Sequence, residues 1–246
     1  MGIYDLIDEQ VLVDLAARSF RSVILKNIKA STEQITAEPT LAIARSLLTP
    51  STVEQSLLAD RLVNITKSLQ NAVGNFHQEV LGAFDGWEST GSNGGSFDIR
   101  SRNPVSLAGN KKVLAEVKMR YNTIKASDEK NVFDNLRNAY IHNGRNDHIS
   151  YLVQIVPKNR QPYNEPWKVS NRETDPNVRM IDGVSAYHLV SGHPTALRDL
   201  LEEFPNIFAK AYQQLSKAEL DYSEFDPRIS QAAILASLPD QSIFEP

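Results

Sequence analysis

Residues 149–158, ISYLVQIVPK, constrain the fold of this 246-residue chain more than any other stretch. So continuous an apolar run reads as a β-strand buried on both faces, which needs helices above and below its sheet. The segments before it supply the rest of the unit. KKVLAEVKMRY (111–121) alternates apolar and polar residues with a strand's period of two, and DEKNVFDNLRNAYI (128–141) places Val132, Leu136 and Tyr140 on one helical face. Strand, helix and strand in succession make a crossover, so part of the sheet should be parallel.

The flanking sequence extends this unit. Residues 1–85 read as helical. YDLIDEQVLVDLAARSFRSVILKNI has apolar residues at three- and four-residue spacing, and a second stretch opens at a Ser51-x-x-Glu or Thr52-x-x-Gln start signal. An apolar stripe then runs through Leu57, Leu58, Leu62, Ile65, Leu69 and Val73, with Gly74 expected to break or kink the helix. DGWESTGSNGGSFDIR reads as strand, Gly-rich loop and strand, EPWKVSN and GVSAYHLV as two more short strands, and PTALRDLLEEFPNIFAKAYQQL and PRISQAAILASL as closing helices. The expectation is one α/β domain with a central mixed β-sheet flanked by helices. Its helical N-terminal section (1–85) would serve in dimerisation or in embracing a partner, with a sheet core at 86–190 expected to carry the functional site and C-terminal helices at 191–246.

Charge distribution narrows the partner. The formal net charge is −4, yet residues 98–145 hold ten Lys or Arg against five acids, so that window is +5 and the remainder −9. A basic centre on an acidic body suits a polyanion met by one face. With no cysteine, disulfides and thiolate metal sites are excluded, and any metal must be held by oxygen or imidazole. No apolar run approaches the roughly 20 residues of a membrane span. The opening MGIYDLIDEQ lacks the order of a secretion signal, so a cytoplasmic location with no membrane association is expected.

Two charges interrupt the strand 112–120. Alternation puts Glu116 and Lys118 on one face, about 7 Å apart at about 3.3 Å per residue. The strand SFDI can set Asp98 beside Glu116. Adjacent carboxylates repel unless a cation lies between them, and Mg²⁺ suits an oxygen-only site of one or two carboxylates. Lys118 would then orient or deprotonate the attacking water, or stabilise charge on the phosphoryl group. Asp98, Glu116 and Lys118 are therefore the candidate catalytic residues, with Asp98 and Glu116 as the metal ligands. Glu-x-Lys alone reads more readily as a salt bridge at a strand's rim; its interruption of a strand's buried-looking face, Asp98 and the basic surroundings favour the catalytic reading.

Asp98 followed by Glu116-x-Lys118, then a helix and a buried strand, resembles the PD-(D/E)xK nuclease core, with Phe97 where that pattern has proline. The resemblance adds Glu79, on the helix before the sheet, as a metal ligand or a residue behind one, an ordinary exposed glutamate being the other reading. GNFHQEVLGAFDGW, GSNGGSFDI, EVKMRYNTIKASDEKNVFDNL and AYHLVSGHPTALRDL further resemble type II restriction endonucleases of the AvaII kind. That resemblance covers roughly residues 70–205. It implies Mg²⁺-dependent cleavage of double-stranded DNA at a GGWCC or GGNCC palindrome, leaving 5′-phosphates, by a homodimer encoded beside a cognate DNA methyltransferase. A repair or recombination nuclease on the same core, or a non-catalytic DNA-binding protein, is the alternative.

The DNA-binding candidates follow from position and chemistry. Arg100, Arg102, Arg120 and Lys125 flank the proposed site and suit phosphates, while Asn122 and Thr123 follow the catalytic strand near the scissile backbone. The polar segment NRETDPNVRMIDG, with Asn171, Arg172 and Arg179, is loop-like and rich in forked donors suited to base edges. GSNGGS lacks the Lys-Ser/Thr ending of a P-loop and reads as a loop near DNA. IHNGRNDHIS reads as a turn rather than a His-Asn-His nuclease motif. Trp87, Trp167 and Tyr187 are assigned to the core, and His77, His188 and His193 lack metal-ligand spacing.

Overall fold

The strand ISYLVQIV lies at the centre of a six-stranded mixed sheet. The structure, a computed structural model, describes residues 2–29, 39–49, 52–91, 97–221 and 225–239. Three helices come first: α1 (Glu9–Lys29), α2 (Pro39–Leu48) and α3 (Val53–Ala83). Then follow β1 (Trp87–Ser89), β2 (Ile99–Ser101), β3 (Lys112–Arg120), α4 (Glu129–Gly144), β4 (His148–Val156), β5 (Asn164–Pro166), β6 (Val178–Asp182), α5 (Gly183–Ser191), α6 (Ala196–Ser216) and α7 (Arg228–Ser237). The strand order is β1-β2-β3-β4-β6-β5. β3, β4 and β6 pair in parallel, and the hairpin β1–β2 and strand β5 add antiparallel edges.

Alternation along the strands sorts their side chains into two apolar layers. Val113, Ala115, Val117, Tyr151 and Val153 join α1, α3, α5 and α6 in the larger core. Leu114, Leu152 and Val178 face the other way onto Phe133, Leu136 and Tyr140 of α4, together with Trp167. Trp87, Trp167 and Tyr187 are all buried, as expected. α4 buries Phe133, Leu136, Ala139 and Tyr140, with Val132 only partly covered.

The helix α3 starts at Thr52, whose hydroxyl accepts from the Gln55 N–H while Gln55 returns a bond to the Thr52 backbone. Gly74 does not interrupt it; one glycine costs a helix only about 1 kcal/mol, which packing against α1 and the sheet overrides. Other expectations are corrected. GVSAYHLV is helix α5 rather than a strand: Asp182 caps its start by accepting from the Ser185 N–H, and Gly192 at φ 72° ends it. Gly183 opens that helix against β4, where a Cβ would stand 2.4 Å from the Ile155 carbonyl oxygen. The end of NRETDPNVRMIDG is β6 rather than loop, because Val178–Asp182 completes the parallel ladder of β4. EPWKVSN contributes only its first two residues to β5. The expected loop GSNGGS falls largely on residues 92–96, outside the described residues. No helix among the described residues is long and apolar enough to cross a membrane.

Candidate active site

Asp98 immediately precedes β2, and its backbone is fixed on both sides. Its N–H donates to Ala115 O at 2.8 Å, and its carbonyl accepts from Thr90 N–H at 2.8 Å. The pairing of Ile99 with Ala115 sets Asp98 across from Glu116. The Asp98 carboxylate accepts the Val117 N–H at 2.7 Å, so its position is tied to the strand that carries Glu116. Lys118 Nζ lies 2.5 Å from Glu116 Oε1, on the face that alternation requires. The structure thus brings Asp98, Glu116 and Lys118 together.

The electrostatics of this cluster are unfavourable for two bare carboxylates. Burial first, and the neighbouring Glu116 carboxylate second, push the Asp98 carboxyl up to about 6, against the opposing pull of the Val117 N–H and the Lys118 ammonium. A buried charge needs compensation, and one lysine shared between two acids supplies only half. An oxygen-only pair of this kind fits a hard divalent ion, which takes one or two carboxylates and fills its other positions with water and phosphate. Among the described residues no group of three or more His, Asp or Glu gathers as a metal cluster. Glu79 instead accepts from Ser89 Oγ on β1 at 3.0 Å and faces Arg18 at 3.8 Å. α3 reaches β1 closely there because residue 82 is glycine: a Cβ would come within 2.4 Å of the Ser89 nitrogen.

The expected DNA-binding residues divide by what their side chains already hold. Arg100 and Arg102 both turn to Glu88 on β1, Arg102 at 3.4 Å, and Arg100 foremost holds that carboxylate below its usual range. Arg120, the last residue of β3, and Asn122, Thr123 and Lys125 just beyond it are exposed, and Thr123 Oγ1 donates to Arg120 O at 2.7 Å and closes the turn. Asn171 is exposed at φ 59°. Arg172 is clamped by both oxygens of Asp134 on α4, at 2.8 and 2.5 Å. Arg179 sits on β6 and donates to Asn164 Oδ1 of the neighbouring strand at 2.8 Å. The two arginines favoured for base edges are therefore engaged within the protein.

One residue of this site escaped the sequence reading. Gln154 stands in register with Lys118 on the adjacent parallel strand, hence on the same face of the sheet. It is buried, accepts from the Tyr163 hydroxyl at 2.6 Å and points its amide nitrogen to Tyr121 O at 3.4 Å. A glutamine inside the run ISYLVQIV was the available signal, since a polar group in a buried strand needs partners. His77 is also buried, bonded through Nδ1 to the Tyr187 hydroxyl at 2.8 Å, and burial lowers its pKa to about 4.

Comparison with known proteins finds restriction enzymes among the relatives of this chain. A family model described as Eco47II restriction endonuclease matches residues 7–213. Over 148 residues the chain is 35% identical to the type II restriction enzyme Eco47II of Escherichia coli, covering 57% of this chain and 59% of that protein. Over 201 residues it is 24% identical to the type II restriction enzyme Sau96I of Staphylococcus aureus, covering 70% of this chain and 72% of that one. The chain thus spans about three-fifths of the Escherichia coli relative.

Proposed function

The chain belongs to the Eco47II restriction endonuclease family, and we propose that it is a type II site-specific deoxyribonuclease that cuts double-stranded DNA at a short palindrome, with Mg²⁺ as cofactor and 5′-phosphate ends as products. One observation carries this reading. Two carboxylates, Asp98 and Glu116, abut across adjacent strands, and Lys118 is their only close cation among the described residues. As a purely structural ion pair this arrangement would leave one half-buried acid uncompensated.

Asp98 and Glu116 would hold the divalent ion. When bound, it neutralises their charge and polarises a phosphoryl oxygen of the substrate. The Val117 N–H fixes the angle of the Asp98 carboxylate, and the hairpin β2–β3 keeps it opposite Glu116. Lys118 brings its ammonium to where negative charge develops on the phosphate, and the strand holds it there before DNA arrives. Exposed Arg120 and Lys125, with Asn122 and Thr123 between them, follow the catalytic strand as phosphate contacts.

A palindrome calls for a two-fold homodimer. The helical N-terminal section supports one: Ile43 and Leu47 on α2 and Leu58 and Leu62 on α3, each pair four residues apart, are exposed apolar residues. The AvaII-like segments between Gly74 and Leu200 favour a GGWCC or GGNCC target, and such a role implies a cytoplasmic enzyme with a cognate methyltransferase. The test is digestion of a plasmid of known sequence with Mg²⁺, followed by sequencing of the ends. Discrete fragments with one common end sequence are expected. A smear, or an intact plasmid, overturns the reading.

A further inference from the structure

A cleft of about 510 Å³ opens beside the catalytic pair, at the C-terminal ends of β3 and β4. Gln154, level with Lys118, lies on its floor with Leu152, which is level with Glu116. The turn that leaves β3 forms one wall, and the connection from β4 to β5, PKNRQPY, forms the other. Lys158, Asn159 and Gln161 of that connection line the cleft and are exposed, while Arg160 (φ 50°) turns away toward Arg198 and Glu202.

We propose that this cleft is the base-reading part of the DNA site, and that Lys158, Asn159 and Gln161 on its rim make sequence-specific contacts in the major groove. This inference rests on the endonuclease reading above.

Three observations support it. Lysine, asparagine and glutamine are side-chain types that pair with guanine and adenine edges in the major groove, and no described side chain bonds to these three. Arg172 and Arg179, by contrast, are occupied by Asp134 and Asn164. The walls also carry both signs, with Lys158, Lys168, Glu129 and Glu165 all lining the cleft. That mixture suits base edges, which alternate donors and acceptors, better than a uniformly anionic backbone. Finally, the rim is held on a rigid support. Tyr163, just past Gln161, is anchored twice: its hydroxyl binds Gln154, and its N–H donates to the buried Asp182 carboxylate at 2.8 Å. A base bound at the rim is thereby coupled to the strand beside Lys118.

The experiment compares wild type with Lys158→Ala, Asn159→Ala, Gln161→Ala and the triple variant. Substrates are a duplex carrying the site found by plasmid digestion and duplexes with single base-pair changes in it. Removing one bidentate pairing with a base should lower discrimination about ten- to hundred-fold, with the melting temperature unchanged because these side chains are exposed. Wild-type discrimination in the triple variant overturns the inference while leaving the endonuclease reading intact. If the triple variant cuts nothing, the ratio of specific to non-specific binding in EDTA decides: a ratio falling toward one supports base reading, and an unchanged ratio refutes it. A wild type that yields no discrete fragments refutes the endonuclease reading itself.

Discussion

Asp98→Asn separates catalytic from structural design most sharply. In the metal-free protein Asp98 titrates at about 6 rather than 3.8, because burial and the Glu116 carboxylate disfavour its charge. The folded state therefore binds more protons than the unfolded one between those values. Stability falls as pH rises through that window and stays reduced above it. Raising a carboxyl from 3.8 to about 6 corresponds to a penalty of up to about 3 kcal/mol at neutral pH. Asparagine removes the charge, and its side-chain oxygen can still accept the Val117 N–H. The variant should lose all cleavage, yet melt up to about 6–12 °C higher at pH 7.5 in EDTA, given about 2–4 °C per kcal/mol for a domain of this size. Added Mg²⁺ should raise the melting temperature of the wild type and not that of the variant. The assay is thermal denaturation at pH 5 and 7.5, with and without Mg²⁺, beside plasmid digestion. A variant less stable than wild type at pH 7.5 in EDTA, or one that still cuts, would rule out Asp98 as a strained metal ligand.

Other outcomes follow from the same geometry. Lys118→Ala should lower the cleavage rate by about 10²–10³ while gel-shift affinity for the cognate duplex survives; a wild-type rate would remove Lys118 from the site. Gly82→Ala forces a Cβ to 2.4 Å from the Ser89 nitrogen, so α3 must shift from β1 at a cost of about 1–3 kcal/mol, seen as a lower urea midpoint. His77, held down to about 4 by burial, must stay neutral when folded and charges on unfolding near 6.5. Its contribution is full above pH 6.5 and is lost as pH falls toward 4, by about 3 kcal/mol. His77→Gln should accordingly flatten the acid limb of the stability profile, and an unchanged limb between pH 6.5 and 4 would count against a neutral buried His77.

Local sequence dictates the face shared by Glu116 and Lys118, because the pleat of a strand repeats every two residues whatever lies beside it. The same locality made the crossover β3-α4-β4 readable, along with the capping box at Thr52 and the core places of Trp87 and Tyr187. Where an apolar run was short, periodicity failed: GVSAYHLV fits strand or helix alike, and the Asp182 cap with the close approach of Gly183 to β4 decided for helix. Which basic residues remain free was settled by the packing of distant segments. Arg172 meets Asp134 across 38 residues and Arg179 meets Asn164 across 15, pairings that no local pattern encodes. That packing also placed Gln154 level with Lys118, since the register of parallel strands is set by the packed crossover between them. Strand chemistry is local and could be read from the chain; the surroundings that make two carboxylates and a lysine into a site come from segments distant in sequence, and only folding brings them together.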